Sequence, residues 1–168
     1  SDKVFISSNS YSGNSNTRFS IVRYGNVMGS RGSVIPFFIQ KAKTKSIPIT
    51  DPKMTRFNIS LIEGVRMVLW ALNESIGGET FVPKLSSYNI MDVAEAISPS
   101  SKKIIIGKRA GEKIHEEMIT SSDSQDTYDF GNYYAIIVPN FINNYKKNRL
   151  KKVKPGFSYN SGSNKKFL

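Results

Sequence analysis

The chain has 168 residues, no cysteine, one histidine and a formal net charge of +11. Lack of cysteine excludes disulfides, thiolate metal sites and thiol nucleophiles, and a single histidine without clustered carboxylates makes no protein-only zinc site. With 39% hydrophobic and 22% charged residues the composition is that of a globular domain able to bury a core, and no apolar run approaches the ~20 residues of a membrane span.

The elements alternate between helix and strand. Residues 1–9 read as a helix, ended by the turn-rich stretch 10–16. Residues 19–24 are β-branched and aromatic, the pattern of a buried parallel strand. A loop with Gly25, Gly29 and Gly32 follows, then a short helix over 34–43 that carries Pro36 in its first turn. Residues 47–50 form a strand. Ser60 and Glu63 make a capping box, and Leu61, Val65, Val68, Leu69 and Leu72 share one face of a helix reaching residue 73. Gly77-Gly78 breaks it before a strand at 80–82. Asn89 caps a helix over 90–97, with Pro99 just beyond its end. A strand follows at 103–106, then a helix over 112–118 with Ile114 and Met118 inward, and a strand at 133–138. The remainder reads as loop.

Much of the excess charge lies in Lys146-Lys147-Asn148-Arg149-Leu150-Lys151-Lys152-Val153-Lys154, and no acidic residue follows Asp129. Such a run is most often a solvated loop. No aromatic stacking residues or nucleic-acid module accompany it, so a basic nucleic-acid-binding domain is only an alternative reading. The same charge can draw a nucleotide diphosphate by long-range attraction.

The stretch Arg23-Tyr24-Gly25-Asn26-Val27-Met28-Gly29-Ser30-Arg31-Gly32-Ser33-Val34 is the most informative. A strand, a polar glycine loop and a helix in succession are how an α/β sheet offers backbone amides to a ligand at a strand's carboxyl end. Arg109, between Gly107 and Gly111, suits an anion, because a guanidinium donates two parallel hydrogen bonds to phosphate oxygens. His115 stands alone beside Glu112, Glu116 and Glu117, so a structural hydrogen bond or ion pair is its expected role. Glu112 and Glu116 have the spacing of one helix face.

Together with Ile47-Pro48-Ile49-Thr50-Asp51-Pro52-Lys53-Met54-Thr55-Arg56-Phe57, Gly77-Gly78-Glu79-Thr80-Phe81-Val82-Pro83-Lys84, Gly107-Lys108-Arg109-Ala110-Gly111-Glu112-Lys113-Ile114-His115-Glu116 and the terminal Tyr159-Asn160-Ser161, these segments run from end to end of the chain. In this order they resemble the inverting UDP-N-acetylglucosamine 4,6-dehydratases, in the nucleotide-sugar branch of the extended short-chain dehydrogenase/reductases. The resemblance implies an α/β fold: the carboxyl-terminal part of a Rossmann-type parallel sheet (residues 1–45) plus a small α/β substrate-binding lobe and terminal loop (residues 46–168). It also implies the carboxyl-terminal half of a longer enzyme. The chain has no G-x-G-x-x-G and no tyrosine followed four residues later by lysine, the pair the family uses to move protons. No catalytic residue is therefore expected in this chain, and no metal site.

By the same resemblance Val27, Met28, Gly29, Ser30 and Arg31 lie along NADP. Asn26, Val34, Thr50, Arg56 and Arg109 contact UDP-N-acetylglucosamine, as do Tyr159, Asn160, Ser161 and Gly162 of the terminal loop. The implied reaction oxidises the sugar at C4, eliminates water across C5 and C6, and inverts C5, as a step in nonulosonic-acid (pseudaminic acid) and surface-polysaccharide biosynthesis. A cytoplasmic homo-oligomer is the implied setting, with no nucleic-acid or membrane partner. An epimerase of the same nucleotide sugar, as in capsule biosynthesis, is the alternative within this class.

Overall fold

Gly25 follows the first strand, and only glycine fits there: a Cβ would stand 2.6 Å from Phe57 Cβ and 2.8 Å from the Phe57 carbonyl oxygen. The computed structural model describes residues 2–13, 16–145 and 151–168. It divides into two compact units, one of Ser1–Tyr24, Ile62–Lys84 and Met118–Tyr159, the other of Gly25–Leu61, Leu85–Glu117 and Asn160–Leu168. The expected division at residue 45 falls inside the second unit.

The first unit begins with α1 (Asp2–Ser7) and a 3-10 turn, Ser8–Ser10. The Asn9 amide ties that turn to the strand beyond: Nδ2 donates to the Phe19 carbonyl at 2.8 Å, and Phe19 N–H donates back to Oδ1 at 2.9 Å. Of the strand expected over 19–24, only β1 (Ile21–Val22) is paired. It runs parallel to β5 (Glu79–Pro83) at one edge of a five-stranded sheet. Beyond β5 the order is β10 (Tyr133–Ile137), β9 (Thr127–Asp129) and β11 (Lys151–Lys152), all antiparallel. The basic stretch lies outside the described residues as far as Leu150; its Lys151 and Lys152 form β11.

Helix α3 (Leu61–Glu74) supplies Met67 and Ala71 to a core with Phe81, Ala135 and Ile137. Trp70 stacks on Tyr133 at 4.2 Å and meets Phe81 edge-on at 5.1 Å. The Glu79 side chain is fully buried at the mouth of β5. It accepts from Ile76 N–H at 2.8 Å, Gly77 N–H at 3.1 Å, Ser20 Oγ at 2.6 Å and the Tyr145 hydroxyl. Burial, the hydrogen bond to Glu79 and its charge push the Tyr145 hydroxyl far above the usual phenol range.

In the second unit β2 (Asn26–Val27) runs parallel to β4 (Thr55–Ile59), which pairs antiparallel with β6 (Ser86–Asn89). β3 (Ser46–Ile49) pairs in parallel with β7 (Lys102–Ile105). Helix α2 (Val34–Ala42) and helix α4 (Ile90–Ile97) enclose the core of Phe38, Ile47, Ile49, Met54, Tyr88, Ile90 and Ala94. α4 matches its expected bounds, with Asn89 Oδ1 accepting from Met91 N–H at 2.7 Å.

The helix expected over 112–118 is replaced by a turn and by β8 (Glu117–Ile119), which pairs with β12 (Tyr159–Asn160). The backbone there serves β4 rather than itself: the Ile114 carbonyl accepts from Thr55 N–H at 3.0 Å and from Arg56 Nη1 at 3.0 Å. The apolar face of α3 is also reversed from the usual sense. Leu61, Val65, Val68, Leu69 and Leu72 are exposed, and Gly64, Met67 and Ala71 are the buried residues. Among the described residues no helix is long and apolar enough to cross a membrane.

Candidate sugar-nucleotide site

The second unit holds a cavity of ≈ 260 Å³. Its walls come from separate stretches: Asn26 from β2, Val34 and Phe37 from α2, Thr50 just after β3, Arg56 from β4, and Arg109 and Glu112 from the loop after β7. Met54, Pro48 and Ile90 give it an apolar floor. Five residues expected at the sugar nucleotide thus share one cavity. The four of the terminal segment do not line it. Tyr159 is buried and packs on Tyr134 in the first unit. Asn160 Oδ1 accepts from Gly162 and Ser163 N–H, holding a tight turn.

Ser161 is fully buried and works as a fastener. Its hydroxyl lies 2.7 Å from Thr55 Oγ1 and accepts from Glu116 N–H at 2.9 Å, while its own N–H donates to the Glu116 carbonyl at 2.8 Å. His115 Nδ1 is 2.8 Å from Thr55 Oγ1, and Gly162 passes so close that a Cβ would stand 2.5 Å from that nitrogen. The lone histidine therefore makes a structural hydrogen bond. Among the described residues no group of three His, Asp or Glu side chains can hold a metal ion.

Charge within the site is balanced around Arg56. Nη1 donates to the carbonyls of Thr55 at 2.7 Å and Ile114 at 3.0 Å. Nη2 lies 3.9 Å from Glu112 Oε1, and Nε 3.7 Å from Glu116 Oε1. The two carboxylates thus converge on one guanidinium instead of decorating a helix. Burial pushes the Glu116 carboxyl above the ordinary range, against the Phe57 N–H it accepts and the Arg56 charge, which pull it down. Glu112 Oε2 also accepts from Arg109 N–H at 3.1 Å. Gly107 and Gly111, at φ 83° and 78°, turn the chain on either side of Arg109, whose exposed side chain makes no ion pair among the described residues. Sequence reasoning overlooked Glu112 and Glu116 as site residues, because a four-residue spacing carries the same signal on a helix and across a turn.

Val27 ends β2 half-buried, and residues 28–31 form an exposed bend after it. Ser30 N–H donates to the Val27 carbonyl, Gly29 and Gly32 take φ of 72° and 78°, and nothing lies within 4 Å of a Cβ at either glycine. The backbone at the two glycines is open to close approach by a ligand, and Ser30 and Arg31 between them are residue types that can bind an anion.

A family model described as "Polysaccharide biosynthesis protein" matches residues 1–138. The chain is 51% identical over 174 residues to a UDP-N-acetylglucosamine 4,6-dehydratase (inverting) of Campylobacter jejuni, covering 98% of this chain and 52% of that protein. It is 43% identical over 136 residues to a UDP-glucose 4-epimerase of Rickettsia bellii, covering 78% of this chain and 40% of that protein. A solved structure, the X-ray structure of Pen from Bacillus thuringiensis, superposes with a TM-score of 0.84 at 31% identity, covering 97% of this chain and 50% of the other. The chain thus spans about half the length of the curated relatives it matches.

Proposed function

The chain belongs to the polysaccharide biosynthesis protein family, and we propose that it is the sugar-nucleotide-binding half of an inverting UDP-N-acetylglucosamine 4,6-dehydratase. The observation that carries this reading is the meeting of Asn26, Thr50, Arg56 and Arg109, from stretches far apart in sequence, on one cavity of the second unit. Arg109 is the arm for the diphosphate, since its guanidinium is not committed to a carboxylate. Arg56, held by two carbonyls and two carboxylates, supplies a fixed positive wall.

Residues 27–31 are the cofactor edge, and NADP is the dinucleotide of this reading. When bound, the nicotinamide supplies the hydride acceptance and return that a 4,6-dehydration requires. The chain's own part is to orient the sugar and exclude water from one side of it. A homo-oligomeric, cytoplasmic full-length enzyme completes the reading.

Calorimetric titration of the chain with UDP-N-acetylglucosamine tests it. Saturable binding is expected, and Arg109→Ala should weaken it roughly tenfold or more, the worth of a charge-assisted hydrogen bond. Absence of binding by the unsubstituted chain defeats the reading. The Rickettsia relative supports a rival, an epimerase of a UDP-sugar. Product analysis with the full-length enzyme separates them: a 4-keto-6-deoxy sugar for the dehydratase, an unmodified epimer for the rival.

A further inference from the structure

Asn26 opens β2 and lines the cavity, while Glu116 lies just before β8 in the same unit. With its amide nitrogen turned to Glu116, Asn26 donates to Oε1 at 2.7 Å and reaches Oε2 at 3.2 Å. The opposite orientation sets a carbonyl oxygen against a carboxylate, two acceptors with no proton between them. The carboxylate is itself held: Phe57 N–H donates to Oε2 at 3.1 Å, and Arg56 Nε lies 3.7 Å from Oε1. Glu116 backbone is pinned on both sides by Ser161. Neither partner of the Asn26–Glu116 pair is free to turn alone.

We propose that Glu116 is a positioning residue: by taking an N–H of the Asn26 amide it fixes which way the amide faces and leaves the carbonyl oxygen, an acceptor, for the ligand. Phosphate oxygens are acceptors too, so that carbonyl oxygen reads a hydroxyl or amide N–H of the sugar and not the diphosphate. Recognition divides accordingly, with Arg109 on the diphosphate and Asn26 on the sugar. This rests on the reading of the cavity as a UDP-sugar site.

The test compares UDP with UDP-N-acetylglucosamine on the intact chain by calorimetry. Asn26→Asp sets two carboxylates face to face, and sugar-nucleotide binding should fall roughly tenfold or more. Adding Glu116→Gln supplies an amide donor to the introduced carboxylate and should restore binding to within about threefold, the residual left when one hydrogen bond is remade in a new pair. UDP, lacking the sugar, should bind all of these variants about as well as the unsubstituted chain.

No rescue in the double variant, or an equal loss for UDP, overturns the proposal while leaving the UDP-sugar site intact. If neither ligand binds the unsubstituted chain, the site reading fails instead. The pair itself is then decided by the Asn26 side-chain NH2 signals of the 15N-labelled chain, identified by their loss in Asn26→Ala. Glu116→Gln must shift those signals, and their indifference overturns the proposal. The same NMR readout decides the matter should the double variant not fold.

Discussion

Glu79 is a carboxylate sealed from water in the first unit, and four donors make its burial tolerable. Two are backbone amides that the Gly77-Gly78 turn aims at it. Gly78 must be glycine, since its φ is 86° and a Cβ would stand 2.5 Å from the Phe141 ring. The Tyr145 hydroxyl is the most distant donor in sequence, and Tyr145→Phe should cost roughly 1.5–3 kcal/mol in urea unfolding, the range for a hydrogen bond to a charged group. The pH dependence has a definite sign. A phenol whose folded pKa is raised gives stability that is fully present below its unfolded value of 10.0 and lost only as pH rises above it. The unsubstituted protein should therefore lose its advantage over Tyr145→Phe above pH 10. An advantage unchanged through that range would show that the hydroxyl does not donate to Glu79.

At the scale of elements, helices with local signals were legible and structure made by distant partners was not. α4 is written in its own ends, Asn89 and Pro99, and its bounds match. β4 was not foreseen, although buried Thr55, Phe57 and Ile59 alternate with half-buried Arg56 and Asn58, a period-2 pattern. Five residues of which three are polar carry too little signal alone. The segment 112–118 carried helical spacing, but its backbone is claimed by Thr55 and Ser161, which no local rule reveals. That Asn26, Val34, Thr50, Arg56 and Arg109 would share one cavity was legible from family motifs, while the two carboxylates that meet Arg56 there, Glu112 and Glu116, were not. Gly25 joins both scales, because its bare backbone lets β2 close on β4 beside Phe57. Gly25→Ala should destabilise the protein by about 1–3 kcal/mol, the cost of overpacking, and weaken sugar-nucleotide binding as Asn26 shifts. Unaltered stability in thermal unfolding would mean that the contact can relax.

The exposed face of α3 belongs to the same scale. Leu61, Val65, Val68, Leu69 and Leu72 form a continuous apolar stripe beside the buried one, more apolar surface than a lone helix normally leaves to water. The isolated chain should bind the dye ANS, and Leu69→Lys with Leu72→Lys should reduce the fluorescence without loss of helix, since lysine and leucine have similar helix propensity. Fluorescence unchanged by both substitutions would locate the dye elsewhere.

For the whole molecule, binding and turnover should separate. The cavity is lined from the second unit alone. No tyrosine is followed four residues later by lysine anywhere in the sequence, and the family resemblance assigns proton transfer to that pair. On the proposed reading the chain offers a sugar-nucleotide cavity without that pair, so the chain alone should bind UDP-N-acetylglucosamine with no turnover in the presence of NADP. The net charge of +11 adds a signature, because attraction of a diphosphate through the general field is screened by salt. Affinity should decline smoothly as salt rises, while keto-sugar production stays at background throughout. Keto-sugar formed by the purified chain would show that another side chain, present in these residues, moves the proton.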